Sequence, residues 1–164
     1  MIKVKLLVIS CFLGLNLVAQ NQASNWYFGE NAGLSFNLDT NTVSRTLDGQ
    51  LNTREGCSSI SDDTGNLLFY TDGLTVWNRN HTVMLNGFGL NGDESSTQSA
   101  IIVPKPDDPN IYYVFTVDDR ERDGFTNGLN YSEIDMTLDG GLGSITVKNV
   151  TLLDVCSEKI TAVL

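Results

Sequence analysis

Histidine is nearly missing from this chain, with one residue, and cysteine and proline number three each. A single imidazole leaves little for a zinc site or a His-based catalytic engine. Cations are scarce too: 10 Lys and Arg face 20 Asp and Glu, for a formal net charge of -10. That balance argues against nucleic-acid binding, which needs cations to replace counterions on phosphate. It argues equally against an electrostatic anchor to an anionic membrane. A sustained 3.6-residue apolar period is missing beyond the N-terminus, so no long amphipathic helix is expected. What remains is plain globular material: 164 residues, 41% hydrophobic, with 15 glycines. This is one ordinary domain's worth of chain, and disorder throughout is excluded.

The N-terminus reads as an address. Lys3 and Lys5 precede a mostly apolar run, Leu6 to Ala19, and the chain turns polar at Gln20-Asn21-Gln22. The run is shorter than the ~20 residues that span a bilayer. It has the form of a secretory signal peptide over residues 1–19, with no membrane insertion once it is removed. A buried N-terminal strand or helix is the competing reading. Export places the mature chain, residues 20–164, in the periplasm, at the cell surface or outside the cell. Val8-Ile9-Ser10-Cys11 superficially resembles a lipoprotein box, but Cys11 sits inside the apolar run and leaves with it. Cys57 and Cys156 then form an even pair in an oxidising compartment, a candidate disulfide. Two separate buried thiols are the alternative.

The body of the chain reads as strands. Trp26-Tyr27-Phe28 and Gly33 to Asn37 open the series, and Cys57 to Ser61 follows. Asp62-Asp63-Thr64-Gly65-Asn66 has turn chemistry, then Leu67 to Thr71 is a strand. Asp72-Gly73 suits a tight hairpin before Thr75-Val76-Trp77. Asn78 to His81 turns the chain into Thr82 to Leu85. The pattern then restarts with Ser99 to Pro104, Ile111 to Val117, Leu129 to Asp135 and Ser144 to Leu153. Ile111 to Val117 is apolar on both faces, as a central strand would be. Lys159 to Leu164 opens what reads as one more strand. Ser58-Ser59-Ile60 answers Ser99-Ala100-Ile101, and Leu67 to Thr71 answers Tyr112 to Thr116, at an offset of about 41 to 45 residues. That period, with four strands per unit, is that of a β-propeller blade. The expected fold is all-β: antiparallel four-stranded meanders forming a partial β-propeller, about two blades plus flanking strands, over residues 20–164. An irregular β-sandwich with coincident spacing is the competing arrangement.

Several runs are distinctive: Glu55 to Met84 (EGCSSISDDTGNLLFYTDGLTVWNRNHTVM), Ser95 to Pro106, Ile111 to Asp118, Asn130 to Met136, Gly140 to Gly143 and Lys159 to Val163. With Asn25 to Asn37 (NWYFGENAGLSFN), this region resembles the N-terminal part of large secreted Bacteroidota proteins, gliding-motility-associated and exported by type IX secretion. The resemblance implies a WD40-like β-propeller, followed in full-length members by adhesion-type modules and a C-terminal (type B) sorting domain. It implies no catalytic residues. Since a propeller typically closes with four to eight blades, residues 20–164 are expected to be the exported front end of a larger protein. By themselves they are expected to be unstable or self-associating, with unpaired strand edges.

Chemistry is hard to find. Asp62-Asp63, Asp72, Asp93-Glu94, Asp107-Asp108 and Asp118-Asp119 could include a glycosidase carboxylate pair. Most of them neighbour Gly, Asn or Pro at expected turns, where Asp is favoured for backbone reasons. The acidic stretch Asp118 to Gly124 is the one calcium candidate. It lacks the alternating ligand order of a calcium loop, and Arg120 and Arg122 interrupt it. Glu55 and Asp93 would need folding geometry to ligate an ion. Ser58-Ser59 and Ser95-Ser96 lack a nucleophile elbow. His81 reads as a turn residue, and Asn80, Asn130 and Asn149 head sequons that a bacterial source would leave unused. Tyr70, Trp77, Tyr112, Tyr113 and Phe115 read chiefly as inter-sheet packing, with sugar or peptide binding as the minority role; Trp26 and Tyr27 carry the same two readings. No catalytic residue, cofactor or metal ligand is therefore assigned. The expected function is a non-enzymatic binding or adhesion scaffold whose partners are an extracellular glycan or protein and the remaining blades of a parent chain. The alternative is a secreted glycoside hydrolase on a propeller scaffold.

Overall fold

A computed structural model describes residues 21–119 and 127–162. The expected signal peptide, residues 1–19, lies outside the described residues, as does most of the calcium candidate. The described chain is all-β, apart from two three-residue 3-10 turns. A three-stranded antiparallel sheet comes first: β1 (Asn25–Phe28), β2 (Ala32–Asn37) and β3 (Thr42–Thr46), in that order.

Two four-stranded antiparallel meanders follow. The first is β4 (Ser58–Ser61), β5 (Leu67–Thr71), β6 (Thr75–Asn78) and β7 (Val83–Phe88). The second is β8 (Ala100–Pro104), β9 (Ile111–Val117), β10 (Leu129–Asp135) and β11 (Ser144–Leu153). Sequence chemistry explains the tight joints. The Asp62 carboxylate accepts from Thr64 N and Asn66 N at 2.9 Å each, and Gly65 takes φ +90. Thr71 Oγ1 donates to Thr75 O at 2.7 Å and accepts from Gly73 N at 2.9 Å, which fixes the β5–β6 turn.

The meanders do not stand apart. A single parallel pairing, Ser144 with Leu85, joins β7 to β11. The result is one eight-stranded sheet, ordered β4-β5-β6-β7-β11-β10-β9-β8, that curls until β4 lies near β8. Asn86, at φ 60, sits at the joint, and its Nδ2 donates to Ile145 O at 3.2 Å. The sheet is nearly closed and barrel-like. Its interior holds Ile60, Phe69, Val76 and Met84 from the first meander, against Tyr112, Val114, Ile134 and Ile145 from the second. Phe69 and Tyr112 meet edge to face at 5.5 Å.

Two expectations change. β3 is a strand that the apolar pattern does not flag, because four of its five residues are exposed. It exists through its pairing with β2. Conversely, Lys159–Ala162 is not a strand. Its neighbourhood is tied to the chain before β8 by Gln98 N donating to Glu158 O at 3.0 Å. Ile160 N donates to the Gln98 side chain at 3.2 Å, which consumes the donor a ladder would need.

Candidate binding surface

The first three-stranded sheet covers one face of the first meander through aromatic stacking. Tyr27 on β1 stacks on Tyr70 of β5 at 4.5 Å, and Tyr70 stacks on Trp77 of β6 at 5.6 Å. Leu51 and Tyr70 are fully buried in this seam, with Leu67 and Cys57 packed beside them. Such pairs add about 0.5–1.5 kcal/mol beyond area burial.

A polar network joins Tyr27, Tyr70 and His81 to Asp48. Tyr27 Oη donates to Asp48 Oδ1 at 3.1 Å, and His81 Nε2 lies 3.4 Å from Asp48 Oδ2. Tyr70 Oη lies 3.2 Å from His81 Nδ1 and accepts from Gln50 N at 3.0 Å. Burial, with the Asp48 carboxylate nearby, pushes the Tyr27 phenol up to about 12. Burial likewise raises Tyr70. His81 is the turn residue the sequence suggests, at φ 59 between β6 and β7. The turn places it in this network, and Tyr70 beside it is wholly buried, so the group is a structural latch.

The latch anchors the segment from Asp48 to Arg54. Asn31 N donates to Leu51 O at 2.8 Å, and the Asn31 amide, turned to satisfy its neighbours, donates to Gly49 O and Leu51 O at 3.2 Å each. Thr53 is buried, and its hydroxyl donates to Glu94 O at 3.3 Å. Gly29 is needed here, since a Cβ would meet Thr53 O at 2.6 Å. Between this segment and the β1–β2 turn lies an open cleft of about 660 Å³, lined by Phe28, Gly29, Glu30, Asn52, Thr53, Arg54 and Glu94. Sequence reasoning singled out none of Phe28, Asn52 or Arg54 for binding, because they come from two distant stretches and carry no motif.

A second surface lies on β9 and β10. Tyr113, Phe115 and Tyr131 form a ring cluster with centroids 5.8 to 6.3 Å apart. With Leu152 they line a shallow apolar depression of about 220 Å³. Lys105 lies 5.8 Å from the Tyr113 ring centre and 3.4 Å from Glu133. Phe115 pairs with Tyr131 across β9 and β10, as Tyr70 pairs with Trp77 across β5 and β6. The first pair of rings is covered by Tyr27. The second is half-exposed.

The other candidates fall as follows. Cys57 and Cys156 are both free, half-buried thiols. Burial raises Cys57, with Asp72 adding to the effect, and burial raises Cys156, with Asp118 adding. Several of the acidic candidates serve turns: Asp72 Oδ1 accepts from Leu74 N at 2.8 Å, Asp93 Oδ1 from Ser95 N at 2.9 Å, and Asp108 Oδ1 from Asn110 N at 3.1 Å. Asp118 accepts from Asp119 N and Asn127 N at 3.0 Å each. Among the described residues no three His, Cys, Asp or Glu are grouped to hold a metal ion. Asn130 is fully buried, and its Nδ2 donates to Asn127 O, so that sequon is an interior polar joint. The chain matches no family model, no curated protein and no solved structure.

Proposed function

We propose that the protein is an exported, non-enzymatic binding or adhesion scaffold, the front portion of a larger cell-surface or secreted protein. In this reading each four-stranded meander is a β-propeller blade. The aromatic face of the second meander takes a further β unit, as the first meander takes the three-stranded sheet. The observation that carries the reading is the repeated ring pair: Tyr70–Trp77 lies under Tyr27, and Phe115–Tyr131 is half-exposed at the corresponding place. The turn duties of Asp62, Asp72 and Asp108 support a scaffold over a hydrolase, because a carboxylate held by its own turn is spent on backbone geometry. The apolar N-terminal run supports export, and the cleaved product should begin at Gln20.

A glycan-array screen paired with a reducing-sugar release assay on the exported protein tests the function. Retention of ligand without turnover is the expected result. Turnover that a single Asp→Asn change abolishes would sink the scaffold reading.

A further inference from the structure

We infer that the cleft between the β1–β2 turn and the Asp48–Arg54 segment binds a neutral carbohydrate. The inference rests on the binding-scaffold reading and names the ligand class of that scaffold. Its walls combine one half-exposed ring with planar polar groups. Phe28 is 38% exposed and closes one side. Glu30, Asn52 and Arg54 supply a carboxylate, an amide and a guanidinium around the same space.

Charge selects among ligand classes. An anion approaching Arg54 meets Glu30, in a chain whose net charge is already -10. A cation approaching Glu30 meets Arg54. A polyol uses all of them at once, because each hydroxyl both donates and accepts. The Glu30 carboxylate accepts from sugar hydroxyls, the guanidinium donates to their oxygens, and the amide does both. The C–H face of a pyranose ring supplies the apolar partner for Phe28. The volume, about 660 Å³, falls within the ~300–1,000 Å³ usual for small-molecule clefts. The lining is more polar than such clefts usually are, as a hydroxyl-rich ligand requires.

The cleft is also held in shape before any ligand arrives. The Asp48 latch fixes one end of the lining segment, and buried Thr53, tied to Glu94 O, fixes the other. A preformed wall lowers the ordering cost of binding.

Calorimetry on the full chain, with a panel of neutral di- and trisaccharides, an anionic oligosaccharide of equal length and an unstructured peptide, tests this. Binding of at least one neutral sugar is expected, weakened tenfold or more by Arg54→Ala and by Phe28→Ala. Val83→Ala, at an exposed position on β7 away from the cleft, should leave it unchanged. Arg54 is exposed, so its variant should fold normally, and circular dichroism checks both; if Phe28→Ala unfolds, Asn52→Ala replaces it. Failure of every neutral sugar to bind, preference for the anionic sugar or the peptide, or sugar binding indifferent to Arg54→Ala and its companion would each overturn the inference. None of those three results touches the scaffold reading. Release of reducing ends from the bound sugar would overturn that reading and leave the ligand class standing.

Discussion

Asp72 shows how a carboxylate can be costly and necessary at once. Its Oδ1 accepts from Leu74 N and Thr75 N at 2.8 and 2.7 Å, and those bonds close the β5–β6 turn. Burial nevertheless raises its pKa, and nearby Glu94 adds to the rise against the opposing turn bonds. The folded chain therefore holds this proton to higher pH than the unfolded chain, whose carboxyl titrates near ~4. Stability should fall as pH rises from that value through the raised folded value, because the fold binds more protons across that window. Asp72→Asn keeps the acceptor and removes the charge. It should be neutral to stabilising at pH 7, and the falling segment should vanish from a pH series of urea melts. Asp72→Ala loses the acceptor and should cost about 1–3 kcal/mol. Equal damage from the two variants would contradict this account.

Within elements, the β5–β6 hairpin does more than reverse the chain. Gly73 adopts φ +88, and a Cβ there would collide with the Ser99 side chain at the entrance to β8. The turn of the first meander is thus pressed against the second. Gly89, at φ +82, has nothing within 4 Å of its would-be Cβ. Gly89→Ala should cost about 1–2 kcal/mol for the left-handed backbone. Gly73→Ala pays that and the collision, so thermal unfolding should show it clearly more destabilised than Gly89→Ala. Equal melting temperatures would mean that the two meanders are not in contact there.

This hairpin was legible in the sequence, because Asp, Gly and Thr impose local geometry whatever surrounds them. Leu67–Thr71 and Ile111–Val117 were legible for a related reason: short β-branched and aromatic runs have no other stable use. β3 was not, since TVSRT buries almost nothing and depends on a neighbour to be a strand. The run at Lys159–Ala162 fails in the opposite way, with strand-like composition and a backbone donor spent on the Gln98 side chain. The cleft and the Asp48 latch were illegible because Tyr27, Asp48, Tyr70 and His81 meet only through the layering of separate sheets. The β7–β11 joint was illegible too, as pattern gives the period of strands and not which edges touch.

At the scale of the molecule, the layers are covered unevenly. The three-stranded sheet covers the first meander, the two meanders cover each other, and the Tyr113–Phe115–Tyr131 face has no further layer among the described residues. Apolar rings rimmed by the Lys105–Glu133 pair are the kind of surface that associates. Net charge opposes this: at -10, copies repel one another over distances that salt can screen. The two effects together predict weak self-association that strengthens with ionic strength, the reverse of an ion-pair interface. Sedimentation velocity over a concentration series at low and high salt should show the average mass rising mainly at high salt. Tyr131→Lys places a charge on the face and should return the chain to monomer without a large loss of stability, since Tyr131 is only half-buried. A mass that rises with concentration equally at both salt levels, or that ignores Tyr131→Lys, would mean that association uses a strand edge and that the aromatic face is not the sticky surface.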